Sequence, residues 1–134
     1  TAKTPEERIE IMRQALLADT FLMSANAISE DGQLFNVDGN GNRLAALLYG
    51  PKQVIVIAGV NKIAHTAADA LERARTIAAP TNISRFDVAT PCKITGTCSD
   101  CTMAESQCAQ IVQTRICRPA GRIKVILVGT KLGY

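Results

Sequence analysis

Hydrophobic and polar positions follow two different periods along this chain, and the changes between them mark the expected elements. Thr4-Pro5-Glu6-Glu7 combines an N-cap hydroxyl, a proline at the first helical position and a glutamate three residues after the cap. It predicts a helix ending near Ala18, with Ile9, Met12, Leu16 and Leu17 on one apolar face. Thr20 to Ala25 reads as a short buried strand and Gln33 to Val37 as another, with Glu30-Asp31-Gly32 turning between them. After the turn formers Asp38 to Asn42, Arg43 to Tyr49 has the Ala and Leu content of a short helix, stopped by Gly50-Pro51. The run Gln53 to Ala58, apolar and rich in β-branched residues from Val54 onward, predicts an interior strand of a parallel sheet, covered on both faces. Thr66 to Ala79 predicts a helix closed by Pro80. Two late strands are expected at Gln110 to Ile116 and Arg122 to Val128, separated by a turn at Pro119 to Gly121. The segment between residues 81 and 108 keeps no period. The pattern predicts one α/β domain over residues 1–134, a layered and mostly parallel sheet flanked by helices, with a Cys-rich insertion at 89–108.

Composition narrows the function classes. Of 134 residues, 47% are hydrophobic and 20% charged, enough apolar material for one buried core. The net charge of +3 is not gathered into a stripe, aromatic residues make up 4% and Trp is absent, so nucleic acid is not an expected partner. No apolar stretch reaches the roughly 18 to 20 residues that cross a bilayer, which argues against a membrane-spanning helix. The first residues carry acids and lack the apolar core of a secretory signal, so a cytoplasmic location is expected.

Candidate chemistry concentrates in two places. At Asn36-Val37-Asp38-Gly39-Asn40-Gly41-Asn42-Arg43 a strand ends, two glycines permit close approach, and a helix begins. Amides at the start of that helix are suited to a phosphate or carboxylate, and Arg43 offers a planar charged fork. The same residues equally suit a tight turn, and their spacing matches neither the Walker loop nor the dinucleotide fingerprint. Lys52 and Lys62 flank the central strand, where lysines can meet an anionic ligand and are also ordinary.

The second place is Cys92-x5-Cys98-x2-Cys101-x6-Cys108, four thiols within 17 residues. These four are metal-ligand candidates for zinc or an iron–sulfur cluster. Reduced cysteines tolerated in a loop, or a redox pair at Cys98 and Cys101, remain open alternatives. Cys117, in a strand-like segment, suits a small buried hydrophobe. His65 suits a surface or capping role beside Thr66, and Arg73 and Arg75 suit solvated positions.

Several runs together resemble the LUD (lactate-utilisation) domain family of the LutC/YkgG kind. They are Ser24 to Gly32, Asn36 to Arg43, Tyr49-Gly50-Pro51-Lys52, Val54 to Ile63, Thr90-Pro91-Cys92 and Gly121 to Ile126. The resemblance implies a NagB/RpiA/CoA-transferase-like sheet and a role in oxidising lactate or a related organic acid, with a small anionic metabolite as ligand. It also implies iron–sulfur oxidoreductases as partner proteins. Family members carry an additional strand and helix before the point where this chain begins, so the chain reads as truncated and a homo-oligomer is expected. Related sugar-phosphate isomerases have an Ala-Asp pair where this chain has Ala25-Asn26, and an amide is no general base. Asn26 is therefore a ligand-binding candidate, and the nearby acids Glu30 and Asp31 are weak catalytic ones. An isomerase-like or CoA-transferase-like enzyme and a metal-stabilised structural or electron-transfer module are the alternative readings.

Overall fold

The computed structural model describes residues 2–134, and Thr1 lies outside the described residues. In chain order the strands are β1 (Thr20–Met23), β2 (Ala27–Ser29), β3 (Leu34–Asp38), β4 (Gln53–Gly59), β5 (Ile63–Ala64), β6 (Gln110–Thr114) and β7 (Ile123–Val128). The helices are α1 (Pro5–Gln14), α2 (Asn42–Leu48), α3 (Ala67–Arg73), α4 (Ala79–Ile83) and α5 (Pro91–Thr95). β1, β4 and β7 form a parallel sheet in that order, flanked by helix as expected. A second sheet, ordered β5-β2-β3-β6, is mixed, with β3 antiparallel to both β2 and β6. Its short members β2 and β5 span three and two residues, too few to carry a period in the sequence.

The core lies between the two sheets. Met23, Val54, Val56 and Ala58 of the parallel sheet pack with Leu44 and Leu47 of α2 and with Ile28 and Leu34 of the mixed sheet. On the far side of the mixed sheet, Phe35 and Val37 pack against Ala70 and Ala74, whose small side chains let the helix approach closely. Burying each valine or leucine here contributes about 1.5–3 kcal/mol.

Three expectations are corrected. β4 is not covered on both faces: Val54, Val56 and Ala58 are fully buried, while the alternate residues Ile55 and Ile57 are only half-buried. The second face of that sheet also carries Leu22, 63% exposed, and Ile126, 50% exposed. α1 forms where predicted, with Thr4 accepting from the Glu7 amide at 3.2 Å, but buries none of its residues. Leu17 beyond its end is 89% exposed. Pro80 does not close the second long helix, which continues to Ile83. Pro80 is the second residue of α4 and follows directly on a widened π turn over Ala74–Ala78.

Two buried polar side chains stand out in this framework. Arg122, just before β7, donates to the carbonyls of Pro51 at 3.0 Å and Ala46 at 2.8 Å, and also to Leu47, so its guanidinium closes the C-terminal end of α2. Asn36 is buried with neither side-chain polar atom hydrogen-bonded, and Thr114 Oγ1 on the adjacent strand is likewise without a partner. Replacing an unpartnered buried amide by an apolar group of similar shape removes a desolvation cost. Asn36→Leu is therefore expected to leave stability unchanged or raise it by about 1 kcal/mol, as read by chemical denaturation. A loss of about 2 kcal/mol instead would show that Asn36 has a polar partner after all.

A candidate anion-binding cleft

A cleft of about 400 Å³ opens at the C-terminal ends of all three parallel strands. That is where α/β sheets collect ligand groups, since successive connections diverge there. Ser24 to Asn26 follow β1, Lys62 follows β4, and Gly133 and Tyr134 follow β7. The end of β3 adds Asp38, and the start of α2 adds Asn42 and Arg43.

Lys62 is the most constrained of these groups. Its side chain is 6% exposed, and Nζ donates to Ser24 Oγ at 2.9 Å and to the Ala25 carbonyl at 3.1 Å. Among the described residues no carboxylate pairs with it. Burial pulls its pKa below the ordinary lysine value, and the nearby charges of Arg73 and Arg43 add to the effect. Gly133 crosses close above the amine, so that a Cβ there would lie 3.3 Å from Nζ.

The glycine turn departs in detail from what its sequence suggests. Asp38 occupies the start of α2, accepting from the Arg43 amide at 3.2 Å and lying 3.6 Å from Arg43 Nε. Arg43 also donates to the Val37 carbonyl at 2.8 Å, so the chain's own carboxylate and carbonyl hold the expected fork. Asn40 and Asn42 line the cleft together with Gly39. A Cβ on Gly39 would meet Gln107 Oε1 at 2.7 Å, so this glycine makes room for the Cys-rich segment. Gly41 caps α2 with φ at +78° and lines a neighbouring hollow beside α1 instead of the cleft. Asn26 lines the cleft and accepts from the Val37 amide at 2.9 Å through Oδ1, fastening β2 to β3.

Asn36, expected at the site, is instead buried within β3 and does not line the cleft. Glu30 and Asp31 stand apart as well. They close the β2–β3 hairpin at the end opposite the cleft, where Glu30 pairs with His65 at 2.9 Å and Asp31 accepts from Ser29 and Gln33. These hydrogen bonds hold the Asp31 carboxyl below its usual range.

The cleft is strongly cationic. Among the described residues the side chains of Arg8, Arg43, Lys62 and Arg85 line it, against one side-chain carboxylate, that of Asp38. Arg85, beyond the end of α4, lies 5.5 Å from the centre of the Phe86 ring and 5.7 Å from that of Tyr134. The Tyr134 hydroxyl donates to Asn82 Oδ1 at 2.6 Å, which ties the C-terminal segment across the opening.

Arg73 departs from the solvated position expected of it. It donates to the carbonyls of Asn61 and Asn26, joining α3 to the ends of β4 and β1 behind the cleft. Arg75 pairs with Asp100 and so docks the Cys-rich segment. That segment supplies a second hollow of about 250 Å³, lined by all four of Cys92, Cys98, Cys101 and Cys108. Burial pushes the Cys108 thiol up, and the other three thiols push it further. Cys117 lies elsewhere and accepts from the Ile123 amide at 3.2 Å.

Parallel strands ending in a cationic cleft, with helices packed beside them, define an α/β protein whose candidate site lies at its strand ends. The chain belongs to the LUD domain family, whose model matches residues 1–128. Neither a curated protein nor a solved structure matches it significantly.

Proposed function

We propose that this LUD-family chain holds a small anionic metabolite in the cleft at its strand ends, as a binding component of lactate or related organic-acid oxidation. The observation that carries this reading is Lys62, a buried ammonium with no acidic partner among the described residues, in a cleft with an excess of basic side chains. A buried cation costs free energy unless an anion compensates it, and an incoming carboxylate or phosphate supplies that compensation. The isomerase-like alternative draws less support. Asp38, the only side-chain carboxylate lining the cleft among the described residues, is already engaged by Arg43, and Glu30 and Asp31 are elsewhere. Iron–sulfur oxidoreductases are proposed as partners on the family resemblance alone, a homo-oligomer suits the open apolar face around Leu22 and Ile126, and a cytoplasmic setting suits five free thiols.

Calorimetric titration with lactate, a dicarboxylate and inorganic phosphate tests the reading. At least one of these anions is expected to bind, and Lys62→Met is expected to weaken it by about 10-fold or more, because a charge-assisted hydrogen bond is lost. The pH dependence has a definite sign. Only the protonated amine attracts the anion, so affinity is full at low pH and falls as pH rises through the lowered Lys62 pKa, before an ordinary lysine titrates. Without ligand the same shift makes stability rise with pH between the folded and unfolded values, since the unfolded chain there binds more protons. Equal affinity and an unchanged pH profile in Lys62→Met would sink the proposal.

A further inference from the structure

The second hollow has its own chemistry, independent of the cleft. Its four cysteines come from one excursion: Cys92 in α5, Cys98 and Cys101 on a turn, and Cys108 just ahead of β6. Two left-handed residues shape the path, Gly96 at φ +73° and Asp100 at φ +53°, the latter inside the Cys98-Ser99-Asp100-Cys101 turn. A non-glycine residue there is uncommon, and the Asp100 side chain is anchored to Arg75 on the neighbouring helix. The excursion is thereby held against Ala79, Pro80 and Ile111, which close the apolar side of the hollow.

Within this arrangement none of the cysteines is in a disulfide. Among the described residues no group of three or more Cys, His, Asp or Glu side chains is placed to hold a single ion. A structural zinc needs four donors about 2.0–2.3 Å from one centre. An iron–sulfur cluster distributes its thiolates over separate irons and fills the space between them with inorganic sulfide. Four thiols standing around a volume of about 250 Å³ match the second requirement. Hydroxyls accompany two of the sulfurs, Thr90 Oγ1 at 3.6 Å from Cys92 and Ser106 Oγ at 3.9 Å from Cys101. Once these sulfurs ligate as thiolates, either hydroxyl can turn to donate to its neighbour. We infer that Cys92, Cys98, Cys101 and Cys108 ligate an iron–sulfur cluster seated in this hollow.

The test is purification under anaerobic conditions, with reconstitution by ferrous iron and sulfide, followed by iron, zinc and acid-labile sulfide analysis and visible absorption. The expected result is iron and sulfide in equal amounts, roughly two to four of each per chain, with a visible charge-transfer band. Cys98→Ser and Cys101→Ser are expected to lose most of both, whereas Cys117→Ser and Lys62→Met keep them. Zinc without labile sulfide, or no iron retained after reconstitution of the unsubstituted chain, overturns the assignment, and that measurement does not depend on whether any variant folds. Full iron content in a Cys98→Ser, Cys101→Ser double variant overturns it too. Because Lys62→Met reports on the cleft alone, failure of the cluster and failure of the anion site give different results.

Discussion

Arg122→Met is expected to cost about 3–5 kcal/mol of folding stability, a large part of the 5–15 kcal/mol that holds a typical domain together. The guanidinium is buried, and its donors reach three carbonyls, two from the last turn of α2 and one from Pro51 beyond it. Methionine fills much of the same volume but leaves those carbonyls buried without a donor, so the loss is one of hydrogen bonding more than of packing. Arg122→Lys separates charge from geometry. A single ammonium keeps the charge beside the helix C-terminus yet cannot reproduce the planar fork, and at least half of the loss is expected to remain. Thermal and denaturant unfolding check both variants, with a fall in Tm of roughly 10 °C or more expected for Arg122→Met. Full stability in the lysine variant would show that charge alone holds the helix end.

Gly59→Ala is the second large effect, and it links packing to the cleft. Gly59 has an ordinary φ of −75°, so alanine meets no backbone strain there. The obstacle is space: an added Cβ would lie 2.4 Å from the Leu132 amide nitrogen and 2.6 Å from the Thr130 carbonyl oxygen. Both are backbone atoms that no rotamer change can move aside. The segment after β7 must therefore shift, carrying with it Gly133, which covers Lys62, and Tyr134, which spans the opening. Overpacking of this kind costs about 1–3 kcal/mol. The expected signature is faster proteolysis and hydrogen exchange in residues 130–134, together with weaker anion binding, while the parallel sheet survives. Unaltered exchange in that segment would mean that the chain relieves the clash at another point.

How far the sequence anticipates this molecule can be judged residue by residue. The strands at Gln53 and Ile123 were legible because β-branched runs bounded by Gly and Pro are local signals, and that at Leu34 because Gly32 and Gly39 bracket it. Thr66 was legible as a cap, and its side chain and that of Asp69 complete a capping box. Of the turn residues proposed for the ligand, the fold brings Asn26, Asp38, Gly39, Asn40, Asn42 and Arg43 to the cleft, and leaves Asn36 and Gly41 outside it. Alternation along β3 shows why. Asn36 sits among core positions one register step from Val37, and nothing local announces that its amide is enclosed. The helix running through Pro80 was hidden for a related reason, since a widened turn upstream is invisible to a 3.6-residue period.

By itself the sequence determined the longer helices and strands, the position of the glycine turn and the spacing of the four cysteines, all of which depend on neighbours within a turn or two of chain, while β2, β5 and α5 were not legible in it. The tertiary structure decided which charges are buried and what they meet. Lys62 reaches Ser24 across 38 positions and Arg122 reaches Ala46 across 76, so each acquires its role from a partner no local pattern encodes. A lysine at a strand end is ordinary in a sequence; closed over by the segment after β7, and with no carboxylate paired to it among the described residues, the same lysine becomes the buried floor of a cationic cleft. The reason is desolvation, which is set by everything packed around a group and by almost nothing in the few residues on either side of it.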